Sequence, residues 1–225
     1  MLCAVAGAYD HDWKEAGEHF RLAMAAEHVP AEVRARCSFN YLLLMGRVQE
    51  AIEQIERALE QDPLNLWVRG MFALALGFAE AYDRVLAEAQ KAIEMDASHW
   101  PPHFAIGLSY ALRGEFAAAR PAAERSIQAA PWFAPAVGLL AGILAQLGEK
   151  ERAGELVAKL RNMGRIGLFL YHLLFSENDT TADWFAKMIE DHDPLAPPWS
   201  CLKAIRSNPR WPALAKMMNL PVEAI

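Results

Sequence analysis

A chain of 225 residues, 54% hydrophobic and 22% charged with mean hydropathy near zero, can bury the core of one large domain or one short solenoid and is no disordered tail. Its formal net charge of −6, with no long Lys/Arg cluster, excludes the basic stripe that tracks a nucleic-acid backbone. Alanine and leucine dominate the apolar share and strand formers never alternate with period two, so the chain reads as all-helical.

From the N-terminus, Met1 to Tyr9 is apolar but lacks the basic flank and the length of a secretion signal. No later stretch reaches the roughly 18 to 20 apolar residues of a membrane span. Cys3, Cys37 and Cys201 are few, odd in number and form no C-x-x-C, a pattern of buried thiols in a reducing compartment. The expected location is cytoplasmic.

The first helical pattern is Trp13-Lys-Glu-Ala16-Gly-Glu-His-Phe20-Arg-Leu-Ala23. Counting back from Ala16, its partner helix would begin before Met1, so only the second half of that helix is expected. Next come Arg47 to Pro63, Asp83 to Ala97, Gly114 to Ser126 closing at Pro131, and Gly148 to Leu160. The equivalent small or apolar position falls at Ala51, Val85, Ala119 and Ala153, successive steps of 34 residues. The 3.6-residue period puts Ala51, Ile55 and Ala58 on one helix face, and Pro63 and Pro131 end their helices. Pro121, inside a second helix, predicts a kink or a delayed helix start. A looser pair follows at 166–175 and 181–191, around a polar turn at Ser176 to Thr180 and before Pro194. The repeat boundaries are 1–31 (partial), 32–65, 66–99, 100–133, 134–167 and 168–194. A cap, 195–225, is expected to fold Trp211, Leu214, Met217 and Leu220 over the last repeat.

The 34-residue period, with Gly107, Tyr110, Ala119, Ala123 and Pro131 in place and Ser126 for the third alanine, resembles the tetratricopeptide repeat. That resemblance implies a superhelical solenoid of antiparallel helix pairs whose groove holds a partner. The tail, Leu202-Lys-Ala-Ile-Arg206-Ser207-Asn208-Pro209-Arg210-Trp211 and on to Leu214 and Leu220-Pro221, is similar to the closing motif of the repeat region in bacterial multidomain regulators. In those chains the region follows a serine/threonine kinase, an adenylate cyclase or a winged-helix domain. Asp10 to Ala23 and Asp62-Pro-Leu-Asn65 resemble the same region. Asn208, Trp211 and Pro212 depart from the motif, and no kinase, cyclase or winged-helix signature is present.

In the family, the second, fifth, ninth and twelfth positions of each repeat face the groove. Here they are Val33, Arg36, Asn40 and Leu43; Trp67, Gly70, Leu74 and Gly77; Pro101, Phe104, Leu108 and Ala111; and Pro135, Gly138, Gly142 and Ala145. The partner-binding candidates are Arg36, Asn40, Trp67, Leu74, Phe104 and Leu108. Arg36 and Asn40, four apart, could hold a carboxylate, as such a pair does in some family members, or make ordinary surface contacts. Trp67 and Phe104 are candidate anchors, or aromatics packed between repeats or under the tail.

His99 and His103 have zinc-ligand spacing, but Trp100-Pro101-Pro102 lies between them and no third ligand follows, so no metal is expected. Asp10-His11-Asp12 and Asp191-His192-Asp193 read as caps and turn formers. No P-loop, dinucleotide fingerprint or nucleophile elbow is present, and neither catalysis nor a cofactor is expected. The expected function is a scaffold that binds a protein or peptide, without membrane or nucleic acid. The alternatives are a small-molecule sensor and a self-assembly module built on the incomplete first repeat.

Overall fold

The structure, a computed structural model, describes residues 2–175 and 178–221, so part of the expected turn at Ser176 to Thr180 lies outside the described residues. Among the described residues there are helices and no strands. They run α1 (Leu2–Ala8), α2 (Trp13–Met24), α3 (Ala31–Cys37, continuing through a π-helical stretch, Ser38–Leu42), α4 (Val48–Gln61) and α5 (Leu66–Phe78). Then come α6 (Tyr82–Met95), α7 (Trp100–Leu112), α8 (Phe116–Ala129), α9 (Ala134–Gln146), α10 (Lys150–Leu160), α11 (Arg165–Phe175) and α12 (Asn178–Glu190). Three short helices close the chain: α13 (Ala196–Trp199), α14 (Lys203–Arg206) and α15 (Trp211–Met217).

The 34-residue step is visible in the backbone. Helices α4, α6, α8 and α10 begin at residues 48, 82, 116 and 150, and α5, α7 and α9 at 66, 100 and 134. Ala51, Val85, Ala119 and Ala153 are all buried, as are Ala58, Ala92, Ser126 and Leu160. Turns recur with the same step. Gly46, Gly114 and Gly148 take positive φ of 72, 77 and 84°, and the N–H of the next residue reaches back to Leu42, Tyr110 and Leu144. That is the left-handed helix ending which glycine adopts without steric cost. At the fourth equivalent turn the left-handed residue is Glu80, φ 56°.

Local chemistry explains the departures from regularity. Ser38 Oγ donates to the Arg34 carbonyl (2.7 Å) and Asn40 Nδ2 to the Arg36 carbonyl (2.9 Å). Side chains that compete for helix carbonyls loosen the backbone ladder, and here the helix widens to a π stretch, closed by Leu43 N–H on the Ser38 carbonyl. Pro121 does not delay its helix: α8 starts at Phe116 and runs through it, with Pro121 on the exposed face. Pro101 and Pro135 sit in the first turns of α7 and α9, where a missing N–H costs no helical bond.

The chain divides into two compact units, residues 1–80 with 189–225, and residues 81–188. In the second unit, α7 packs on α8 and α9 on α11. Gly138 and Gly167 meet backbone to backbone at the α9–α11 crossing, so closely that a Cβ on Gly138 would collide with the Gly167 carbonyl. Arg120 and Arg152 bridge Glu124 and Glu149 at 2.6 to 3.6 Å, a partly exposed network that links α8, α10 and the turn before α10.

In the first unit the helices α1 to α5 are joined by the C-terminal tail. The sequence suggests a tail folded over the last repeat; within the first unit, the tail makes polar and ring contacts with the N-terminal helices. Trp13 Nε1 donates to the Met218 carbonyl at 2.7 Å, in the interior. The Trp199 ring meets Phe78 edge-on at 5.1 Å, and Cys201 Sγ donates to the Leu43 carbonyl at 3.4 Å. Trp211, Leu214 and Leu220 are buried as expected, whereas Met217 is partly open to solvent.

Candidate functional site

Two of the candidate residues are brought together by α3 and α5, which pack on each other in the first unit. Asn65 starts α5, its side chain accepting from Val68 N–H at 3.1 Å, and so fixes where Trp67 leaves the helix. The Arg36 guanidinium lies over the Trp67 ring, 4.5 Å from its centroid, a cation–π contact with both partners half-buried. Leu74, two turns along α5, and Val33, one turn before Arg36, are also half-buried. Asn40 does not join Arg36 as a second donor: its amide is turned to the helix backbone, and Arg36 is engaged by the indole.

Phe104 and Leu108 belong to the second unit, where each is only 2% exposed. Phe104 is held edge-on by Phe133 at 5.4 Å and by Trp100 at 6.3 Å. Trp132 completes this aromatic cluster and is 68% exposed. Gly142 is covered by Leu174 of α11, and Pro135, Gly138 and Ala145 are buried too.

Of the two histidines at zinc spacing, His103 is buried with Nε2 at 2.9 Å from the Ala97 carbonyl, and His99 precedes α7 at its cap. Among the described residues no three His, Cys, Asp or Glu side chains gather as metal ligands would. No described helix is long and apolar enough to cross a membrane. Cys3 and Cys37 are both buried, and the interaction of the two thiols holds Cys37 below and pushes Cys3 above the ordinary thiol range. Burial pushes the Cys201 thiol up to about 11. An open cleft of 440 Å³ lies between α5 and the tail, lined by Val48, Phe78, Glu80, Cys201, Lys203 and Arg206 among others.

No family model and no curated protein matches the chain. Solved structures do. PilF of Pseudomonas aeruginosa is similar with a TM-score of 0.59 at 16% identity, over 87% of this chain and 91% of that one. TTC0263, a thermophilic TPR protein of Thermus thermophilus, follows with 0.57 at 17% identity, over 76% and 98%. MamA of AMB-1 gives 0.51 at 19% identity, over 71% and 94%. The fold is that of the tetratricopeptide repeat. In that frame α3, α5, α7 and α9 are first helices, and α4, α6, α8 and α10 second helices. The first-helix positions of α3 and α5 keep open surface at Val33, Arg36, Asn40, Trp67 and Leu74, while those of α7 and α9 are buried.

The tail contacts have no periodic signature and were not readable from spacing. One signal was available: Glu80 breaks the series Gly46, Gly114, Gly148. Its carboxylate accepts the Lys203 N–H at 3.2 Å, binding the first turn of α14. The repeated Asp-His-Asp triplet was a second.

Proposed function

We propose that this chain is a protein-interaction module which holds an extended or helical segment of a partner against the α3–α5 wall of its first unit. The observation that supports the reading is the half-buried Arg36–Trp67 pair, flanked by Val33 and Leu74. A desolvated indole offers large apolar area at low entropic cost, and an adjacent guanidinium adds a charge-assisted donor. Such a wall suits a partner segment with an apolar side chain next to a carboxylate. Phe104 and Leu108, being buried, drop out of the contact set and serve the packing of α7. The tail's likeness to the closing motif of bacterial regulators supports a place in a signalling or transcription regulator, with the chain as the recognition part and no catalytic step of its own.

A second reading rests on α1. Leu2, Val5 and Tyr9, spaced along one face, are 63%, 50% and 50% exposed. That apolar stripe supports self-association, which sedimentation at rising concentration would show as a rising mass.

The wall is tested by capture from host-cell lysate with the wild type beside Trp67→Ala and Arg36→Ala, after circular dichroism shows equal helicity. A partner retained by the wild type and lost from both variants supports the reading. A tenfold or greater loss on Trp67→Ala is the expected size, about 1.4 kcal/mol or more. Equal recovery from all three chains refutes it.

A further inference from the structure

The two Asp-His-Asp triplets, far apart in sequence, meet in space. Asp10-His11-Asp12 forms the turn between α1 and α2, and Asp191-His192-Asp193 the turn between α12 and α13; both lie within the first unit. The imidazoles of His11 and His192 stack with centroids 5.5 Å apart and planes 21° apart. His192 Nδ1 is 2.7 Å from the Tyr9 carbonyl, and the Tyr9 ring lies 5.6 Å from the His192 ring. Both histidines hold left-handed backbone, φ 54° and 52°, a conformation with a steric cost for a residue of their kind. His11 is only 4% exposed, and its Nε2 is buried without a hydrogen-bond partner.

We propose that the His11–His192 stack is a pH-sensitive latch which fastens the C-terminal segment, residues 191–220, to the N-terminal turn and releases it on acidification. A buried imidazole whose Nε2 has no acceptor takes a proton at a cost, and a proton on each ring would set two cations face to face. Burial first, and His192 second, hold His11 below the ordinary imidazole value of about 6.5, with Asp10 acting in the opposite sense. A group depressed in the docked state binds more protons once released. Docking is therefore fully supported above about pH 6.5 and is lost as the pH falls through the depressed value. Asp12 caps α2 through Glu15 N–H at 2.9 Å, and Asp193 accepts Leu195 N–H at 3.0 Å. Asp191 flanks His192, Lys14 and Glu15 lie in the first turn of α2, and α15, bound to Trp13 through Met218, carries Lys216.

The Trp13 indole N–H, bound to the Met218 carbonyl, reports tail docking directly. Its proton–nitrogen NMR signal, assigned by Trp13→Phe, is followed from about pH 7.5 to about 5 in the wild type, His11→Asn and His192→Asn. Asparagine tolerates left-handed backbone and carries no charge, so it removes the titration and keeps the turn. The latch predicts a docked, exchange-protected signal at pH 7.5 that fades in the wild type as the pH falls below about 6.5, persists to pH 5 in His11→Asn, and fades at a lower pH than in the wild type in His192→Asn, where burial of His11 remains. A wild-type signal that stays docked at pH 5, or one lost at the same pH in the variants, overturns the proposal. A variant already undocked at pH 7.5 overturns it too, because the rings would then clamp the tail whatever their charge.

Discussion

At the scale of single residues, the 34-residue register turns small differences between equivalent positions into measurable ones. Ser126 stands where Ala58 and Ala92 stand in other repeats, and its buried hydroxyl has no hydrogen-bond partner. Ser126→Ala should therefore raise stability by about 1 kcal/mol in urea unfolding, since a buried unpaired hydroxyl is a net cost. Glycine positions divide by what surrounds them. Gly138→Ala drives a Cβ into the Gly167 carbonyl and should cost about 1–3 kcal/mol. Gly154→Ala, on an exposed face of α10 with nothing within 4 Å, should gain about 0.5–1 kcal/mol from helix propensity alone. The register itself was plain in the sequence, because Ala51, Val85, Ala119 and Ala153 recur at one spacing and each is buried where the spacing put it. The sequence could not tell that Asn40 bonds its own helix, or that Arg36 finds Trp67 rather than standing free. Both depend on the conformation of a side chain and on the approach of a neighbouring helix.

At the scale of elements, helices with a repeated pattern were legible and those without one were not. The starts of α4, α6, α8 and α10 follow from the period, and Pro101 and Pro135 mark first turns. The π stretch at Ser38–Leu42 came from two side-chain bonds that no periodicity encodes. The tail is the larger gap. Its apolar residues announce a buried segment, but what they bury against is a matter of contacts such as Trp13 to Met218, across 205 positions of chain. Trp13→Phe keeps the ring and strands a buried carbonyl, so it should destabilise the protein by about 1–3 kcal/mol in urea unfolding. An unchanged midpoint would show that the Trp13–Met218 hydrogen bond adds nothing to stability.

At the scale of the whole molecule, the tetratricopeptide fold supplies first-helix surfaces of two kinds. Those of α7 and α9 are filled by the protein's own side chains, and their aromatic and glycine positions serve packing. Those of α3 and α5 keep part of their surface open around Arg36 and Trp67. On the proposed function, the recognition surface is one cation–aromatic pair and two aliphatic neighbours. Its binding should weaken on raising salt to the extent that Arg36 meets a carboxylate, and Arg36→Lys should not restore it, since an ammonium lacks the planar fork. The most direct measurement places the photo-crosslinker p-benzoylphenylalanine at Val33, on the wall, and in a second chain at Leu64, exposed in the turn before α5. A discrete adduct from Val33 on illumination in host cells, abolished by Trp67→Ala, and none from Leu64 is the outcome expected of a partner seated on the wall. An adduct from Leu64 with none from Val33 would contradict it.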